Sequence, residues 1–157
     1  MRKVLMLVAA LSFVACAKKE AAISDSAAAA AATPPAPPAV TAADLVGTWN
    51  GTSMAQNSDS VVGHWTCIQA PTGSDSKCVD AAAPKDTVIY TYTLSADSVM
   101  WTSAAYKPPK PPKSPQVIDH VVGRMSGGKW VGTSVTVLAS KPDSVLMRTR
   151  WEATKTP

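Results

Sequence analysis

Histidine, cysteine and phenylalanine are scarce in this sequence of 157 residues, which contains two, three and one of them, respectively. Neither His64 nor His120 has partner ligands at metal-binding spacing, so the sequence predicts no metal site. A Gly-x-Ser-x-Gly motif is missing, and no Lys-Ser or Lys-Thr pair follows Gly127-Gly128 to complete a phosphate loop. We therefore expect no cofactor and no enzymatic activity. The alternative is an enzyme whose site the sequence does not display.

Long apolar runs are missing as well. Residues 4–15 form an apolar run of about twelve residues, whereas a transmembrane helix needs about twenty. Arg2 and Lys3 precede this run and small residues follow it, which is typical of an export signal. We therefore predict that residues 1–15 are a signal peptide and that the protein is exported.

The end of the apolar run, Phe13-Val14-Ala15-Cys16, resembles the lipobox of bacterial lipoproteins. The resemblance implies that the Cys16 thiol takes a diacylglycerol, that the signal is cut before Cys16, and that its new amine receives a fatty acid. The membrane would then be a partner through this lipid, and it would be the outer membrane in a Gram-negative cell. The alternative is an ordinary secretory signal cut after Ala17, which would discard Cys16.

Residues 16–43 are rich in alanine and proline and offer little to bury. Pro-Pro pairs favour extended polyproline II, so we predict a tether with a coil span of about 30 Å. A packed helix over residues 21–32 is the alternative. The tether leaves residues 44–157 as one domain.

The charge of the exported protein is close to balanced. Without Arg2 and Lys3, the 15 basic residues fall to 13 against 11 acidic residues, a net charge of +2. The basic residues are scattered and form no stripe with the aromatic residues, so the sequence does not predict a nucleic-acid partner.

Cys67 and Cys78 remain as a pair after Cys16 is assigned to lipid. Two cysteines this close in an exported domain predict a disulfide, and a metal or catalytic thiol is the alternative. Closing a loop of this length would stabilise the fold by roughly 3 kcal/mol through restriction of the unfolded chain.

Segments rich in Val, Thr, Trp and Tyr alternate with turn residues through the domain, and none shows a helical period. Gly127-Gly128 suits a tight hairpin that needs positive φ. We predict an all-β fold, an antiparallel meander of about seven to eight strands that closes into a small barrel or forms a sandwich. The predicted strands cover residues 45–53, 61–68, 87–94, 98–106, 116–125, 129–138 and 144–153.

The segment 107–115 interrupts this pattern because its prolines cannot donate to a ladder. Lys107, Lys110 and Lys113 recur at every third residue, the period of polyproline II, so they would line one edge. We interpret the edge as a contact for an anionic envelope surface, and a solvated spacer is the alternative.

The start of the domain, Gly47-Thr48-Trp49, resembles the Gly-x-Trp that opens lipocalin-like barrels, and Arg148 and Arg150 resemble the late arginine that stacks on that tryptophan. The resemblance implies a buried Trp49 beside one guanidinium group and a small apolar ligand in the barrel. The alternative is that the remaining aromatic side chains fill the core. Those candidate lining residues are Trp65, Trp101, Trp130, Tyr90, Tyr92 and Tyr106.

These observations together predict an envelope lipoprotein without enzymatic activity, whose domain is a binding or interaction module with an unknown envelope partner. A lipocalin-like carrier of a small hydrophobic ligand is the second interpretation.

Overall fold

Eight β-strands and one short helix make up the regular structure in the computed structural model, which describes residues 38–109 and 113–157. The elements are α1 (Ala42–Leu45), β1 (Gly47–Ala55), β2 (Val61–Gln69), β3 (Asp75–Asp80), β4 (Thr87–Ser95), β5 (Ser98–Ser103), β6 (Val117–Ser126), β7 (Lys129–Leu138) and β8 (Lys141–Lys155).

The strands form a closed antiparallel barrel in which each strand pairs with the next and β8 pairs with β1. The predictions of an all-β fold and of an antiparallel meander are confirmed. Of the two predicted alternatives, a barrel or a sandwich, the structure is the barrel. Closure removes the free edges that an open sheet of this size would expose. Because side chains alternate along each strand, one face of every strand points into the barrel.

Strand β3 was not predicted, because its sequence, Asp75-Ser76-Lys77-Cys78-Val79-Asp80, is polar and poor in β-branched residues. The residues between Cys67 and Cys78 were expected to form a loop. They instead contain the end of β2, the link over residues 70–74 and the start of β3. The two cysteines lie directly opposite each other on these neighbouring strands and form the predicted disulfide. Pairing with β2 and β4 thus overrides the low intrinsic preference of the segment.

The hairpin between β6 and β7 confirms the prediction for Gly127-Gly128. Both glycines have positive φ, 58° and 79°, and the flanking residues Ser126 and Lys129 are paired. Positive φ at both central positions defines the turn that matches strand twist, and glycine adopts it without a steric penalty.

Helix α1 closes one end of the barrel, which we call the closed end. The backbone N–H of Val40 donates to the carbonyl of Ala96 in the β4–β5 turn, and Leu45 is buried against Trp49 and Trp130. Packing against the barrel therefore begins before the predicted domain start at Asp44, and this one-turn helix is too short to show a period in the sequence.

The opposite end, which we call the open end, carries the β1–β2, β3–β4, β5–β6 and β7–β8 links. In the part of the chain that the structure describes, no helix has the length and apolar character needed to cross a membrane. The predicted signal peptide, Cys16, the tether up to residue 37, and Lys110 lie outside the described residues.

Candidate ligand-binding site

The barrel encloses a cavity of about 240 Å³ whose lining comes from all eight strands. The cavity extends to the open end, where its lining includes the exposed residues Val62, Asp86, Lys107 and Met147. A cavity of about 150 Å³ lined by apolar side chains is large enough for benzene. The barrel interior can therefore hold a small organic molecule.

Five tryptophans form a continuous row inside the barrel. Successive rings meet edge to face, with centroids 5.7–6.3 Å apart, an arrangement that their quadrupoles favour. All five line the cavity. In order along the row they are Trp65, Trp151, Trp101, Trp130 and Trp49.

Glycines on the inner face make room for these rings. A Cβ on Gly51 would overlap the Trp65 ring, and a Cβ on Gly123 would lie 2.7 Å from the Trp151 ring. Each of these glycines thus has a partner ring that needs its missing side chain. The close contact of ring and backbone fixes the tryptophans in place and leaves the cavity open beside them.

The predicted aromatic residues divide between lining and core. Trp65, Trp101, Trp130, Tyr90 and Tyr106 line the cavity, whereas Tyr92 packs against the buried core cluster at the closed end. Core packing and cavity lining are compatible for these residues, because one ring can contact the core on one side and the cavity on the other.

Asp119 on β6 is the centre of a polar wall in the cavity. Its side chain is buried, with the residue 8% exposed, and its carboxylate accepts three hydrogen bonds from hydroxyl groups. Tyr90 and Tyr106 donate to Oδ2 at 2.9 and 2.7 Å, and Thr136 donates to Oδ1 at 2.6 Å. The carboxylate therefore joins β4, β6 and β7 to the loop that follows β5.

Asp119 has no counter-ion among the described residues, because no Lys, Arg or His nitrogen there lies within 4.0 Å of its carboxylate. The described lining holds two further carboxylates, Asp80 and Asp86, and one ammonium group, that of Lys107. The interior is thus negatively charged, and the neutral hydroxyls are the only polar compensation that the described residues give Asp119.

The two tyrosines keep their protons in this wall. Burial raises the pKa of Tyr90 well above its usual value, and the negative charge of Asp119 raises it further. The same two causes, in the same order, raise the pKa of Tyr106. Both phenols therefore stay neutral and remain hydrogen-bond donors to Asp119 at physiological pH.

The cation beside Trp49 is Lys155, in the place expected for Arg148 or Arg150. Trp49 is buried, and the Lys155 ammonium lies 5.6 Å from its ring centroid. A Cβ on Gly47 would lie only 2.6 Å from Cε of Lys155, so the glycine of Gly-x-Trp leaves a path for the lysine stem. The geometry thus explains the spacing of Gly47 and Trp49. The cation over the Trp49 ring is Lys155 rather than the expected Arg148 or Arg150.

Arg150 and Arg148 lie away from this stack. Arg150 forms an ion pair with Asp59 in the β1–β2 link and donates to the carbonyl of Ser58 at 3.1 Å, which places it at the open end. Arg148 is exposed on β8. The reason is the register, which puts Lys155 opposite Trp49 and Arg150 opposite Met54.

The remaining candidate residues are exposed. Both histidines are exposed, and each ring lies beside a threonine hydroxyl, at 3.2 Å for His64 and 3.5 Å for His120. Lys107 and Lys113 are exposed at the open end. Among residues 38–109 and 113–157, no group of three or more His, Cys, Asp or Glu side chains is arranged to hold a metal ion.

Asp119 is not among the site residues predicted from the sequence. It and its neighbour His120 face opposite sides of β6, since one is buried and the other exposed. The available signal was an acidic residue on the inward face between Val117 and Val121. Its three donors come from distant parts of the chain, and no local pattern brings them together.

Comparison of the chain with known protein families, with curated proteins and with solved structures finds no match. The function of the chain is therefore inferred from the cavity and from the residues that line it.

Proposed function

We propose that this protein is an exported, lipid-anchored barrel that binds a small, largely apolar molecule in its interior, in the manner of a lipocalin-like carrier. The observation that carries the proposal is the cavity of about 240 Å³ with its row of tryptophans. Small-molecule sites are concave and mostly apolar, with a few placed polar groups, and this interior combines both kinds of lining.

The distribution of aromatic residues supports a carrier over an interaction module. Surfaces that bind other proteins expose apolar and aromatic patches. In the described residues, every tryptophan and tyrosine is buried or half-buried, and most of them line the cavity. The aromatic side chains of the described residues therefore lie in the interior, and the exposed large apolar side chains are all aliphatic.

The membrane anchor is the second part of the proposal, and its support is the sequence alone. Cys16 follows the apolar run, and the Ala/Pro-rich segment after it suits a tether that holds the barrel clear of the headgroups. Metabolic labelling with a fatty acid tests the anchor. We expect label on the wild type and none on Cys16→Ser, and an unlabelled wild type would reject it.

A matched pair of β7 variants tests the carrier. Ser134 lines the cavity, whereas its neighbour Thr133 is exposed, so a phenylalanine at 134 fills the interior and one at 133 does not. Native mass spectrometry of protein isolated from its own host should find a bound small molecule in the wild type and in Thr133→Phe. Ser134→Phe should have lost it, and equal loading of all three proteins would contradict the carrier.

A further inference from the structure

We propose that the ligand of this cavity is a small organic cation, an ammonium or amidinium group carried on a flat apolar body. The cation would lie against Asp119 and the body against the tryptophans. This inference rests on the proposed carrier function and names its ligand class. It is argued from the charge, the unfilled acceptor position, the aromatic faces and the size of the cavity.

Charge gives the first argument. A buried carboxylate loses its hydration, and an opposite charge compensates that loss better than neutral hydroxyls do. Asp119 has no such charge beside it among the described residues, although it lines the cavity. A cationic ligand would supply the missing partner, whereas an anionic ligand would meet the buried Asp119 and the half-buried Asp80, since Asp86 and Lys107 are both exposed and screened by water.

Hydrogen bonding gives the second argument. Each oxygen of a carboxylate accepts about two hydrogen bonds. Among the described residues, the two tyrosine hydroxyls donate to Oδ2 of Asp119, whereas Oδ1 accepts a hydrogen bond only from the hydroxyl of Thr136. One acceptor position on Oδ1 is therefore left for an N–H of the ligand. The tyrosines hold the carboxylate in a fixed orientation, which reduces the ordering cost of binding.

The tryptophans give the third argument. An indole face attracts a cation more strongly than other aromatic side chains do, and its apolar surface also accepts a flat hydrocarbon. Trp65, Trp101 and Trp151 line the same cavity as Asp119. The interior thus presents a carboxylate and aromatic rings to one ligand.

Size limits the apolar body. The cavity is about one and a half times the volume that accommodates benzene, which corresponds to a ligand of roughly ten non-hydrogen atoms. Lys107 is the one described cation in the lining, and it is exposed, where water screens its charge. It therefore opposes a bound cation less than the buried Asp119 attracts it.

Isothermal titration with matched probes tests the inference on the full-length protein in a detergent with neutral headgroups. The probes are 1-naphthylmethylamine, 1-naphthalenemethanol and 1-naphthoate, with the benzyl series as smaller bodies and detergent alone as the blank. We expect the amine to bind at least tenfold more tightly than the alcohol, and the carboxylate to bind most weakly, because one opposite charge in a buried site is worth about a factor of ten or more.

Two variants test whether the preference for the amine over the alcohol depends on Asp119. Asp119→Asn keeps the size of the side chain and removes its charge, so the amine should lose its advantage while the affinity for the alcohol changes less than about threefold. Asp75→Asn, an equal charge change at an exposed position on β3, should leave the ranking unchanged. Circular dichroism checks that both variants fold. If Asp119→Asn does not fold, the order of affinities of the three probes for the wild type decides whether the cavity prefers a cation.

The outcomes separate the two proposals. If the amine and the alcohol bind equally, the organic cation is wrong and the carrier stands. If no probe of either series binds in the millimolar range, both proposals fail.

Discussion

The hydroxyl of Tyr106 donates a 2.7 Å hydrogen bond to Oδ2 of Asp119, and the Tyr90 hydroxyl shares the same oxygen at 2.9 Å. Tyr106 lies beyond the end of β5, where a single antiparallel bridge pairs it with Val117. The carboxylate thus ties the start of the proline-rich loop to the cavity wall. The polar wall is a link between strands as well as a candidate ligand contact.

Alkaline pH should weaken the fold through these two tyrosines. Their pKa values are raised in the folded protein, so the unfolded chain releases these protons first as the pH passes about 10. The stability they contribute is fully present below about pH 10 and is lost as the pH rises further. Urea unfolding between pH 8 and 12 measures the decline.

The double variant Tyr90→Phe/Tyr106→Phe should show a shallower decline in the free energy of unfolding above pH 10. Tyr92→Phe, the same change at a tyrosine that is not one of the three donors to Asp119, is the control. Identical slopes for the wild type and the double variant would show that other groups govern the alkaline loss.

The glycine at position 51 should resist substitution. A Cβ there overlaps the Trp65 ring, so Gly51→Ala should lower the free energy of unfolding by about 3 kcal/mol, as overpacking does in cores. Gly63→Ala is the control, because its Cβ would meet only Asp80 Oδ2 at 3.7 Å. We expect it to change stability by less than about 1 kcal/mol. Urea unfolding of both variants distinguishes these outcomes, and equal losses would refute the steric argument.

Much of this barrel follows from local patterns that the sequence displays. Alternating β-branched and aromatic residues predict seven of the eight strands, Gly127-Gly128 predicts the β6–β7 hairpin, and cysteine spacing predicts the bridge. Strand β3 is not predicted, because its polar residues form a strand only when they pair with β2 and β4. Barrel closure, too, depends on pairing β1 with β8, about 100 residues apart.

The candidate site is harder to predict for the same reason. Tyr90, Thr136 and Asp119 meet only after three strands have found their register. The cation over Trp49 also depends on register, since β8 carries several basic residues and only pairing decides that Lys155 lies opposite Trp49. The sequence thus predicted a cation stacked on Trp49, and the strand register determines which basic residue it is.

Lys155 should therefore contribute to stability, and Arg148 should not. Lys155→Met keeps most of the apolar stem and removes the charge, so we expect a loss of about 0.5–1 kcal/mol, typical of an exposed cation–π contact. Arg148→Met, at an exposed position on the same strand, should change stability by less than about 0.5 kcal/mol. Thermal melts at low ionic strength compare the two, and a larger loss at Arg148 would argue against the Lys155 stack.

The disulfide should hold β2 and β3 together beside the cavity. Cys67 and Cys78 both line the interior, and removing a native bridge from a small exported domain costs about 2–5 kcal/mol. We expect Cys67→Ala/Cys78→Ala to unfold at lower urea concentration and Cys16→Ser to match the wild type. A double alanine variant as stable as the wild type would mean that strand pairing alone is sufficient.

The position of the ligand tests the account most directly. Five indole N–H signals report on the tryptophan row in a proton–nitrogen correlation spectrum of the full-length protein, because the sequence holds five tryptophans. During titration with 1-naphthylmethylamine, the signals of Trp65, Trp101 and Trp151 should shift and saturate, while the amides of the exposed His64 and His120 stay in place. If the indole signals remain unchanged up to millimolar concentrations of every probe in the series, the barrel interior is not the binding site.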